Sequence, residues 1–176
     1  MLGTPNKGAQ FPDVFCPAPN MCSESMYQMM SASNFLAALN EGDVSYGAAR
    51  LTAIVTTDDV VFVRADQGVM DGPEGKVTNI AVQDVCPGHV VDHLGLAFDG
   101  PTYGIVIDAL DHRGTALADR VDKAYCLTDT MPGVDRADAE TRVAGYAATL
   151  AGYLGPAGPK AEGEPPLACY VTHDCD

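Results

Sequence analysis

Two residues of this chain have types and settings suited to proton transfer. Asp58 directly follows the β-branched run Leu51-Thr-Ala-Ile-Val-Thr-Thr57, and His93 closes the segment Cys86-Pro-Gly-His-Val-Val-Asp-His93. A carboxylate at the carboxyl end of a strand is where open α/β sheets gather their site residues. Aimed at an imidazole, it fixes the ring's tautomer and stabilises the cation formed when the ring takes a proton. A loop anchored at Cys86 and Pro87 gives His93 the rigidity a general base needs. Each residue also has a plainer reading: a strand-ending turn aspartate and a hydrogen-bonded buried histidine. Asp59 lies on the opposite side of the chain from Asp58 and is expected in solvent.

Other side chains invite metal chemistry. His89 and His93 stand four apart with Asp92 between them, a spacing that would align two ligands on a helix. Pro87-Gly88 argues against a helix there, and no third ligand recommends itself, so no metal is expected. Cys169, His173 and Cys175 could also chelate zinc, although a disulfide in the tail is the simpler account. The six cysteines (Cys16, Cys22, Cys86, Cys126, Cys169 and Cys175) include no CxxC pair. An even, scattered set favours three disulfides in an oxidising compartment. Spacing leaves the connectivity open; the favoured pattern has local loops Cys16–Cys22 and Cys169–Cys175 and one long bridge, Cys86–Cys126.

The elements that would position these residues are readable from pattern. Met1 to Pro5 reads as the tail of a buried strand, and Phe11 to Met21 as a loop. Short helices are expected over Ser23–Met30 and from Ser33 to Asn40, the second capped by Ser31 or Ser33. Met26, Met29 and Met30 read as core packing. Leu51–Thr57 is the clearest strand, Asp66–Lys76 a glycine-rich loop, and Val77–Val82 the next strand. Asp99-Gly-Pro101 caps a helix over Thr102–Asp111 whose stripe is Ile105, Val106, Ala109 and Leu110. From Ala137, Val143, Ala147, Leu150 and Leu154 recur at helical spacing up to Gly155-Pro156. Strands alternating with helices predict an α/β fold with a mainly parallel sheet. Residues 1–160 form its body, and 161–176 a Pro/Gly/Cys-containing tail.

The chain has 176 residues, 47% of them hydrophobic, which suits one domain with a packed core. A net charge of −14 repels phosphate backbones and anionic membranes, so nucleic acid is not an expected partner. No apolar run approaches the ~18 residues needed to span a bilayer, so stable membrane insertion is not expected either. Met1-Leu-Gly-Thr-Pro-Asn-Lys-Gly8 lacks the basic and apolar regions of a signal peptide, at odds with the cysteines: either the protein stays inside the cell, or Met1 is not the true start.

Several blocks together resemble the class 2 lipases, the secreted actinobacterial lipases and the fungal lipase B type. They are Leu2-Gly-Thr-Pro-Asn-Lys-Gly8, Tyr27-Gln-Met29 with Ser33-Asn-Phe-Leu36, Thr57-Asp-Asp-Val-Val61, and Val82-Gln-Asp-Val-Cys86 through Asp92-His93. The likeness runs from residue 2 to about 112 and continues weakly through Cys126 and Gly158-Pro-Lys160. It implies an α/β-hydrolase fold, of which this chain is the C-terminal portion. It also implies cofactor-free hydrolysis of carboxylic esters, typically acylglycerols, outside the cell. By the same resemblance Asp58 and His93 are the acid and base of a Ser-Asp-His triad, and Cys86–Cys126 braces the histidine loop. Leu150 and Leu154 would meet the acyl chain.

One departure is severe. In such hydrolases the nucleophile precedes the acid and the histidine, on a Gly-x-Ser-x-Gly elbow. No such elbow occurs here, and Ser23, Ser25, Ser31, Ser33 and Ser45 lie in other contexts. The resemblance puts the serine and the oxyanion donors in a half that precedes Met1. A different class of reading is a non-catalytic module, derived from a lipase, that binds lipid or a partner. An unpaired sheet edge would then favour self-association.

Overall fold

The computed structural model describes residues 1–45 and 47–172. Its centre is a parallel pair of strands, β1 (Leu51–Val55) and β2 (Val77–Ala81), in register from Leu51 opposite Val77 to Val55 opposite Ala81. Leu2 adds a parallel bridge to Ile54, with the Gly3 amide donating to the Ile54 carbonyl at 2.9 Å. The opening segment is therefore strand-like as expected, but Leu2 is 41% exposed rather than buried. It forms the edge of this small sheet.

Helices α1 (Gln10–Phe15), α2 (Glu24–Gln28) and α3 (Asn34–Leu39) precede β1. α1 forms where a loop was expected: Pro12 sits in its first turn, where the missing N–H costs no internal bond. Ser33 caps α3, its hydroxyl accepting from the Leu36 amide. The bridge Cys16–Cys22 joins α1 to the start of α2 and packs with Tyr27. A single-turn helix, α4 (Ala65–Gly68), interrupts the segment expected to be loop throughout.

After β2 the chain turns straight into α5 (Val82–Val85), so Val82 opens a helix instead of closing the strand. A 3-10 turn at Gly95–Ala97 leads to α6 (Gly100–Asp111). Asp99 caps α6 as predicted, accepting from the Thr102 amide at 2.8 Å. The buried stripe of α6 is Gly104, Ile105 and Asp108, and Leu110 is 74% exposed. Of the expected stripe, Ile105 is in the core and Val106 and Ala109 pack against it; Leu110 alone points away, and Asp108 is buried as an ion pair with Arg120, two parallel bonds of 2.6 and 2.7 Å.

The core gathers Ile54 and Ile80 from the strands with Val82, Val85, Val91, Leu96, Ile105 and Val121. The second bridge, Cys86–Cys126, ties the end of α5 to the 3-10 segment Lys123–Leu127. The long helix α7 (Arg136–Leu154) ends at Gly155 and buries only Ala139. A last turn, α8 (Cys169–Thr172), closes the described chain. The expected Cys169–Cys175 pairing and the His173 ligand reading involve residues outside the described ones. No helix is long and apolar enough to cross a membrane among the described residues.

Candidate active site

β1 ends at Val55, and the next residues break the simple alternation of a strand. The Thr56 hydroxyl donates to the Val91 carbonyl at 2.8 Å and accepts from the Asp58 amide at 3.2 Å. These bonds curl Thr57 and Asp58 into a turn. Asp59, not Asp58, is thereby carried inward. Its carboxylate is 3% exposed, against the expectation that it would be solvated.

His93 Nδ1 lies 2.6 Å from Asp59 Oδ2. The same carboxylate accepts backbone N–H bonds from Phe62 at 3.0 Å and Val63 at 3.1 Å. Burial pushes the Asp59 carboxyl upward, but the His93 hydrogen bond, its charge and the two backbone amides outweigh burial. The net effect holds Asp59 below the usual carboxylate range, so it is ionised at neutral pH. A carboxylate only accepts, so Nδ1 must carry the proton. In the neutral ring the lone pair then resides on Nε2. Among the described residues Nε2 has no hydrogen-bond partner.

Asp58 works one step back. Its Oδ2 accepts from the Val91 amide at 3.1 Å and from Gln83 Nε2 at 3.0 Å. Gln83 Nε2 also lies 3.0 Å from the His89 carbonyl. The two neighbouring aspartates thus hold different parts of one unit: Asp59 the imidazole, Asp58 the backbone of the loop that carries it. His89 Nε2 is paired with Asp99, the helix-capping residue of α6, so the two histidines of the metal reading face different carboxylates.

Beside His93 opens an apolar cleft of about 180 Å³. Phe62 stacks obliquely on the imidazole, ring centroids 5.1 Å apart. Met26 and Met29 come from α2 and its end, and Tyr146, Leu150 and Leu154 from one face of α7. The structure therefore places Leu150 and Leu154 on the cleft that also holds His93. Met26, Met29 and Phe62 were missed as cleft residues by pattern, and Asp59 as the histidine's partner. The methionine spacing that suits a core suits a cleft wall equally well. Gly3 also belongs to the site: its φ is +51°, and a Cβ there would stand 3.1 Å from His93 Nδ1.

Among the described residues, none of the five serines bonds to a histidine. The Ser23 and Ser25 hydroxyls meet each other at 3.0 Å, Ser31 bonds to Asp13, Ser33 to the Gln28 carbonyl, and Ser45 to Asp43.

Among solved structures, the crystal structure of Aspergillus fumigatus lipase B is similar to this chain, with a TM-score of 0.72 and 24% identity. The match covers 85% of this chain and 38% of that one. It shows an α/β-hydrolase-like fold, consistent with the small parallel sheet and its helices. No family model matches the sequence, and no curated protein matches it.

Proposed function

We propose that this chain supplies the acid–base part of a lipase-like serine ester hydrolase that works in an oxidising, extracellular setting. His93 is the general base and Asp59 orients it; Asp58, first in line on sequence grounds, positions the loop. The observation that carries the reading is the His93–Asp59 pair at 2.6 Å with Nε2 unpartnered beside an apolar cleft. A serine hydroxyl presented to Nε2 would lose its proton as it attacks an ester carbonyl, and the imidazolium would return that proton to the leaving alcohol. Tyr146, Leu150, Leu154 and Phe62 would line the acyl chain.

The reading assigns the nucleophile and oxyanion donors to a segment ahead of Met1. Without them, turnover of ordinary esters falls on the order of a millionfold, or about 8 kcal/mol of barrier. The two disulfides support the extracellular setting. The test is to express the frame extended upstream of Met1 and assay hydrolysis of acylglycerols. Activity blocked by a serine-directed fluorophosphonate and lost in His93→Ala and Asp59→Asn supports the reading. An in-frame stop upstream, or activity that survives His93→Ala, overturns it.

A further inference from the structure

The five serines are all hydrogen-bonded elsewhere, yet His93, whose Nε2 has no partner among the described residues, lines an apolar cleft. We infer that His93 is itself a nucleophile toward activated aryl esters of short apolar acids, an activity these 176 residues carry without a serine. Imidazole nitrogens attack esters when the leaving group is a weak base, and three features of this site favour that reaction. Asp59 fixes the proton on Nδ1, so the lone pair sits on Nε2. The His93 side chain is 26% exposed, so the imidazole is not sealed from solvent. The cleft walls of Phe62, Met29 and Leu150 hold the acyl chain next to it.

The step balances with water alone. The Nε2 lone pair forms a bond to the acyl carbon, and the carbon–oxygen bond to the aryl group breaks, its electron pair leaving with the phenolate. The ring is now an acyl-imidazolium that keeps its Nδ1 proton, and the ionised Asp59 balances its charge. Water attacks the acyl carbon, the carbon–nitrogen bond breaks, and the carboxylic acid departs while the remaining proton of that water passes to solvent, offsetting the charge of the released phenolate. The imidazole is restored in its starting tautomer. By contrast, His89 presents Nε2 to Asp99, and the His112 side chain, paired with Asp108 just past the end of α6, is 47% exposed.

The experiment uses the purified 176-residue chain with p-nitrophenyl hexanoate, following nitrophenolate release and, with hydroxylamine present, hydroxamate formation. The rate above buffer should fall by about tenfold or more in His93→Ala and His93→Gln, the scale of a lost positioning effect. Asp59→Asn should be intermediate and His112→Gln unchanged. Prior treatment with a fluorophosphonate should leave the wild-type rate intact. Equal rates in wild type and a folded His93 variant would overturn the inference, as would loss of the rate to the fluorophosphonate. Should both His93 variants fail to fold, the wild-type chain decides: hydroxamate above the buffer control supports the inference, and none overturns it. The inference rests on the His93–Asp59 geometry of the proposed function but not on its serine. The extended chain can therefore fail its test while this one succeeds, and the reverse.

Discussion

Removing each disulfide in turn gives a test whose magnitude derives from chain topology. Cys86–Cys126 closes a loop of sequence separation 40, and Cys16–Cys22 one of 6. Both span ordinary Cα–Cα distances, 5.4 and 5.6 Å, so native geometry does not separate them. Loop-closure entropy then assigns about 4 kcal/mol to the long bridge and about 2 kcal/mol to the short one. For a chain of this size those values correspond to melting shifts of roughly 10 °C and roughly 5 °C. The perturbations are the double variants Cys86→Ala/Cys126→Ala and Cys16→Ala/Cys22→Ala, compared by denaturant titration and thermal melts. The long bridge also ties the histidine loop to the core, so its removal should disturb His93 as well as lower stability. Equal losses, or a larger loss from the short bridge, would refute the reasoning.

Further outcomes are expected. Asp108 is held below the usual carboxylate range mainly by the hydrogen bond from Arg120, which outweighs the opposing effect of burial. Its stabilisation is present above the unfolded carboxyl pKa of about 3.9 and fades as pH falls through the lower folded value. Melts recorded against pH should therefore fall less steeply below about pH 4 in Asp108→Asn than in wild type. Ile105 is fully buried, and Ile105→Ala should cost about 2–5 kcal/mol by chemical denaturation. Gly3→Ala, forced into positive φ against His93, should lower stability by about 1 kcal/mol or more and shift the His93 ring resonances. The exposed Leu2 edge predicts concentration-dependent self-association in sedimentation experiments, reduced by Leu2→Lys.

Much of this molecule was legible in its sequence because local chemistry decided it. The run Leu51–Thr57 is β-branched, and Asp99 before Gly-Pro is a capping signal, so β1 and the start of α6 form where expected. The spacing of Leu150 and Leu154 put both on one side of α7. What was not legible depended on contacts distant in sequence. The choice between Asp58 and Asp59 is made by Thr56, whose hydroxyl bonds to Val91 some thirty residues on and tightens the turn. The burial of Asp108 on α6 depends on Arg120 reaching back to it, which apolar periodicity does not register. Leu2 forms a strand bridge yet remains exposed, because among the described residues it pairs on one side only, with β1.

The central claim is that Asp59 holds the proton of His93 on Nδ1 and leaves Nε2 free to act as base or nucleophile. Long-range ¹H–¹⁵N NMR on histidine-labelled protein, at a pH where the ring is neutral, reads the tautomer directly. The account predicts the Nδ1–H form in wild type and in Asp58→Asn, with loss of that preference in Asp59→Asn. An Nε2–H ring in the wild-type protein, or a tautomer indifferent to Asp59, would contradict it.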